Sequence, residues 1–215
     1  MKKQKFKEMI ITKITSFHES KLRADADRNS NMEYLNVATL SLRGKPNPAL
    51  RGPATTTEVK EMRPHIKMLC GDYFTYAVRA SQSGGSSHCR LCGFSEENID
   101  HVLNCSETSK AKLDTMKNLS DAVQLTKSHI DFALLSESNY FTQFILDCTS
   151  LNLPNQFRVN IYDTAISDIF KAARKTVNSI HSERIRKLKQ LESSHKNHLI
   201  TITYDLYSLI FIFIA

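Results

Sequence analysis

The sequence predicts a mainly α fold: an irregular helical domain with a small Cys3His zinc knuckle, flanked by basic helices. Three observations carry this. Apolar residues recur at helical spacing in several separate stretches. Three of the five prolines crowd into residues 41–58, which leaves long segments free of helix breakers. One short segment gathers cysteines and a histidine at metal-ligand spacing. The 215 residues, 41% hydrophobic and without Trp, suffice for one ordinary domain or a small domain with helical flanks. Six Gly and five Pro exclude collagen-like and low-complexity chains.

The net charge of +7 is unevenly placed. Residues 1–23 carry +5, residues 171–198 carry +6, and the stretch between them carries −3. Two basic arms therefore flank a near-neutral middle, as in chains that meet a polyanion or simply present solvated helix faces. Along the chain, Phe6, Met9, Ile10, Ile14 and Phe17 mark an amphipathic first helix rather than a signal peptide, for no continuous apolar run follows the basic start. Asp25 to Asn31 is polar, and Tyr34 to Leu42 is a short apolar run. Residues 41–58, with Pro46, Pro48 and Pro53, read as a loop or extended connector. Thr55 to Thr57 are N-cap candidates for a helix through Val59, Met62, Ile66 and Leu69, which Pro64 either kinks or delays. Ser81 to Ser87 reads as a turn.

Three further helices are expected over Thr108 to Leu125, Tyr140 to Thr149 and Thr164 to Leu191, with a turn at Leu151 to Gln156. The last of them places Ile166, Phe170, Ala173, Val177 and Ile180 on one side. Its stripe then shifts to Ile185, Leu188 and Leu191, while Lys171, Lys175, Arg184, Arg186, Lys187 and Lys189 fill other faces. Leu199 to Ala215 is mostly apolar but holds Asp205 and is short for a membrane span, so it reads as a core strand or a non-native tail before a tail anchor. The organisation expected is an N-terminal helix and connector (1–54), a helix plus zinc-knuckle region (55–126), a C-terminal helical region (127–198) and the apolar tail (199–215).

Chemistry concentrates in HCRLCGFSEENIDHVLNC, which contains Cys89-x2-Cys92-x8-His101-x3-Cys105. Zn2+ takes four thiolate or imidazole ligands in a tetrahedron, and Cys3His is a standard structural set. The two-residue gap lets both thiolates of a tight turn face one point, and Gly93 permits the backbone to fold back. Ser95 is the expected cap of a short helix starting at Glu96, which places His101 and Cys105 on one helical face. His88 is an alternative ligand, and Cys70 and Cys148 are expected to be buried thiols. Five cysteines without a signal peptide argue against a secreted disulfide framework and for an intracellular protein, nuclear or cytoplasmic.

A closed four-ligand shell leaves no position for a reactive water, so the zinc is expected to build structure. Three thiolates around a divalent ion leave −1. Contact with RNA or single-stranded DNA must then come from neighbours, with Arg90, Lys110, Lys112 and Lys117 nearest in sequence. Phe94 either stacks on an unpaired base or packs on the site itself. No HExxH, nucleophile elbow, phosphate loop or polymerase carboxylate pair occurs, so no catalytic residue is assigned. Asp72, Asp163 and Asp168 read as helix-end and solvated carboxylates.

The run from Glu58 to Cys105 resembles the region after the polymerase core of non-LTR (LINE-type) retrotransposon reverse transcriptases. The resemblance rests on His65, Lys67, Leu69, Gly71, Asp72, Tyr73, Thr75 and Tyr76 in an H-x-K-x-L-x-G-D-Y-x-T-Y pattern, followed by the Cys3His motif. Phe141 to Val159 and Ile169, Phe170 and Arg174 also look like the tail of such proteins, which extends the likeness over about residues 20–190. The resemblance implies a terminal zinc module that helps hold element RNA or target DNA. The Y/F-x-D-D polymerase motif is missing, so it implies a fragment without the polymerase core. A zinc-containing helical protein-interaction module is the alternative.

Overall fold

The computed structural model describes residues 3–28, 34, 41–42, 45–46, 55–94, 96–126, 130–150, 152–160 and 165–214, with the backbone path alone for residues 41–42, 45–46 and 195–214 and for parts of the first helix. The fold is mainly helical, as the periodicity predicts. Helix α1 spans Lys3–Arg28, so it absorbs the start of the polar stretch that was expected to follow it. Its apolar stripe is on the surface: Met9, Ile10, Ile14 and Phe17 are all exposed. Within the proline-rich connector, strands β1 (Ser41–Leu42) and β2 (Lys45–Pro46) form a minimal antiparallel ladder with Ser41 opposite Pro46.

Helix α2, Thr56–Leu69, starts at a reciprocal cap. The Thr55 hydroxyl accepts the Glu58 N–H at 3.2 Å, and the Glu58 carboxylate accepts the Thr55 N–H at 3.1 Å. That cap sets the start eight residues before Pro64, which lies buried inside the helix and does not delay it. Gly71, at φ +70°, ends the helix, with the Asp72 N–H donating back to Lys67 O at 2.8 Å. Helix α3, Tyr76–Ser83, is capped by Thr75 and stops at Gly84, so the helix takes Ser81 to Ser83 from the expected turn.

Helices α4 (Ile99–Asn104), α5 (Ser109–Gln124), α6 (Phe132–Ser136) and α7 (Phe141–Leu146) follow. The short α6 had no sequence expectation. Helix α7 stops three residues before the expected Thr149 because Asp147 turns extended and uses its carboxylate to accept the Thr149 N–H and hydroxyl. Helix α8 runs from Ile166 to Ile214. The strand expected over residues 199–215 is replaced by helical backbone through Ile214. A strand needs a partner ladder, and among the described residues the only one is β1–β2. Among the described residues no helix is long and apolar enough to cross a membrane.

α8 packs against α5, α2 and α7. Its Ile166, Phe170, Ala173, Val177 and Ile180 are buried as the periodicity predicts. They share one core with Met68 and Leu69 of α2, Leu103 of α4, Leu119 of α5 and Phe141 and Phe144 of α7. Arg184 departs from expectation: it is only 3% exposed, not on a solvated face. His65 fastens α2 to α7 by donating from Nε2 to Leu146 O at 2.8 Å. These contacts hold the segment between α3 and α5 against the α8 surface.

Candidate metal centre

The knuckle forms because each of its residues has a local reason to turn. Gly93 sits at φ +78°, where a side chain is strained, and its N–H donates to Cys89 O at 2.8 Å. The Cys89 N–H donates to Phe94 O at 2.9 Å, closing the turn. The N–H groups of Leu91 and Cys92 point at the Cys89 sulfur, and that of Glu107 points at the Cys105 sulfur. Such amides favour thiolates.

Helix α4 then delivers the second pair of ligands. Its cap is Asn98, whose side chain accepts the His101 N–H at 2.8 Å, so the helix starts at Ile99 rather than at Glu96. Ser95, the expected cap, lies outside the described residues. The helix ends at Asn104, and Cys105 leaves it with extended backbone, φ −60° and ψ 130°. The φ of Cys105 is still helical and only its ψ turns the following chain away, so His101 and Cys105, four residues apart, converge at the end of one helix as their spacing predicts. Ile99, Val102 and Leu103 are buried beneath them, which anchors the six-residue helix.

The structure brings together all four predicted ligands, Cys89, Cys92, His101 and Cys105, with their donor atoms within 4.8 Å of one another. Cys92 Sγ lies 3.3 Å from His101 Nε2. A tetrahedron with metal–sulfur bonds of about 2.3 Å has edges of roughly 3.8 Å, so one ion reaches all four with little movement. Burial pushes the Cys89 thiol up to about 12, helped by the carboxylate of Glu97, and burial raises Cys105 as well. Burial lowers the His101 pKa, keeping the imidazole neutral and able to ligate. Three thiolates in such surroundings call for a cation. The cluster is a site able to hold a metal ion.

The other residues singled out by sequence are dispersed. His88 is exposed, with Nδ1 2.8 Å from Ser86 Oγ, and takes no part in the cluster. Cys148 is fully buried and Cys70 half-buried, and burial raises both pKa values. Phe94 packs on the site, the second of the two roles considered for it: its ring stacks on His101 at 4.8 Å and 6°, while the residue stays 56% exposed. Arg90 is exposed and lies over the Tyr76 ring at 5.3 Å. Lys110 and Lys117 are exposed on α5. Lys112 is engaged, donating to Asn104 Oδ1 at 2.8 Å and lying over the Phe141 ring at 4.0 Å. Asp72 is exposed and pairs with Lys67 at 3.6 Å, Asp168 lies in the first turn of α8, and Asp163 is outside the described residues.

Sequence reasoning missed Glu97 and Arg184, which pair at 2.5 Å while both are buried beside the cluster. One of three acidic residues in the knuckle and one arginine in a basic helix carry no spacing signal that joins them. Compared with known proteins, the chain matches no family model, no curated protein and no solved structure.

Proposed function

We propose that this chain is a zinc-stabilised C-terminal piece of a LINE-type retrotransposon reverse transcriptase, without the polymerase core, that contacts RNA or single-stranded DNA. The observation that carries it is the convergence of Cys89, Cys92, His101 and Cys105 on one point. When bound, Zn2+ there supplies structural cross-linking: four protein ligands leave it no open position for Lewis-acid chemistry. The resemblance on which the family reading rests is compatible with the fold. Gly71 makes the α2 terminus, Lys67 and Asp72 pair across it, Thr75 caps α3, and the Tyr76 N–H donates to Glu97. Motif residues committed to local structure in this way fit a module that docks on the knuckle.

The nucleic-acid half rests on Phe94 and the charges around it. One face of its ring covers His101 and more than half of the side chain is exposed, which suits stacking on an unpaired base. Arg90 next to the knuckle and Lys110 and Lys117 on α5 supply charge for phosphates. Filter retention of single-stranded RNA and DNA by the zinc-loaded protein tests this. Retention at low salt that falls steeply as salt rises supports it, and Phe94→Ala should weaken it several-fold without altering zinc content. No retention at low salt ends the nucleic-acid reading. A protein-interaction module is the second reading, favoured by the exposed Met9, Ile10, Ile14 and Phe17 on α1. Light scattering after gel filtration separates them: stable self-association supports this second reading and a monomer weakens it.

A further inference from the structure

We propose that Arg184, acting through Glu97, is a positioning residue of the metal centre, so that metal occupancy and the docking of α8 are one coupled equilibrium. The inference rests on the metal reading of the Cys3His cluster and extends it to a helix that supplies no ligand. Glu97 stands between the two ligand pairs and is held from three directions. Its N–H donates to Ser87 O at 2.8 Å, two residues before Cys89, and its C=O accepts the Ala77 N–H at 3.2 Å. Its side-chain Oε1 accepts the Tyr76 N–H at 3.1 Å and the Arg184 guanidinium at 2.5 Å. Oε2 is buried with no hydrogen-bond partner in the fold, and the Cys89 thiol faces this carboxylate. Arg184 also lies 5.7 Å from the centroid of the Tyr73 ring, whose hydroxyl meets His181 Nδ1 at 2.9 Å. Knuckle, α2–α3 junction and α8 thus meet in one buried polar cluster.

Charge decides what that cluster does. With the thiols protonated, Glu97 and Arg184 neutralise each other. With a divalent ion and three thiolates the centre carries −1, and Glu97 beside it adds a second buried negative charge. The Arg184 guanidinium is the cation that pairs directly with Glu97, so it favours the metal-loaded state over the empty one. Coupling of this kind is reciprocal: if Arg184 tightens metal binding, metal binding tightens the seat of Arg184 on α8.

The full-length zinc-loaded protein can be titrated with a chromogenic chelator and followed by amide hydrogen exchange. Arg184→Met should weaken zinc affinity 10–100-fold, the range seen when outer support of a metal ligand is lost. Arg184→Lys, which restores the charge, should recover most of it. Arg186→Met, which breaks only the exposed pair with Glu183, should change it by less than 3-fold. Stripping zinc from the parent should speed exchange in residues 178–188 and leave residues 166–173 protected. Equal zinc affinity in the parent and a folded Arg184→Met protein would overturn the coupling while leaving the metal site standing. If Arg184→Met does not fold, Arg184→Lys and the exchange pattern of the parent decide, and unchanged exchange on chelation overturns the proposal. A parent that binds no zinc removes the site and the coupling together.

Discussion

The imidazole of His65 is enclosed between α2 and α7, and burial holds its pKa down at about 4, against an ordinary value of 6.5. Its Nδ1 has no partner, so a proton added there finds no acceptor. In the unfolded chain the ring protonates near 6.5, in the folded one only near 4. The unfolded state therefore binds the extra proton first. Stability from this residue is full above 6.5 and is lost as pH falls from 6.5 towards 4, by up to about 3 kcal/mol. Urea unfolding between these limits should show the decline, and His65→Gln, which retains a donor for Leu146 O, should flatten it. Gly93 gives a second test. An added Cβ meets nothing within 4 Å, so the cost of Gly93→Ala is the backbone strain at φ +78° alone. At about 1–2 kcal/mol this should weaken zinc affinity roughly 10-fold with the ligands intact. The grouping of Cys89, Cys92, His101 and Cys105 was legible from their spacing because soft-ligand chemistry is local in sequence. Glu97 and Arg184 were not, because their meeting depends on how α8 crosses the knuckle, 87 positions away along the chain.

At the scale of elements, the helices with long apolar periodicity were readable, and their ends were readable only in part. Helix α5 spans Ser109–Gln124, within one residue of the expectation at each end, because its caps coincide with the limits of its apolar pattern. Helix α7 stopped early because Asp147 turned its side chain onto the following backbone, a local competition that periodicity does not see. The start of α4 moved to Ile99, behind its Asn98 cap, because the preceding Glu97 is drawn into the clamp around Tyr76 and Arg184. The first half of α8 is the central element of the core. Phe170→Ala, at a fully buried position facing that core, should cost 3–5 kcal/mol, measured as a fall in the urea midpoint. The reciprocal cap of α2 is exposed, so Thr55→Ala should cost only about 1 kcal/mol by the same measurement.

For the molecule as a whole, the charge asymmetry of the sequence takes on structure. The C-terminal basic arm is no uniform solvated face: Arg184 is buried against Glu97, Lys187 reaches Glu107 at 2.8 Å, and Arg186 pairs with Glu183. Part of the arm's charge therefore serves the knuckle and its surroundings. Two of the acidic partners, Glu97 and Glu107, come from the middle segment, and Glu183 belongs to the arm itself. A metal at Cys89, Cys92, His101 and Cys105 would draw these contacts into one folded unit. Native mass spectrometry of the purified chain beside Cys92→Ser measures this most directly. One zinc ion per chain in the parent and none in the variant is the predicted result. A parent that carries no zinc, or a variant that retains it equally, would contradict the account.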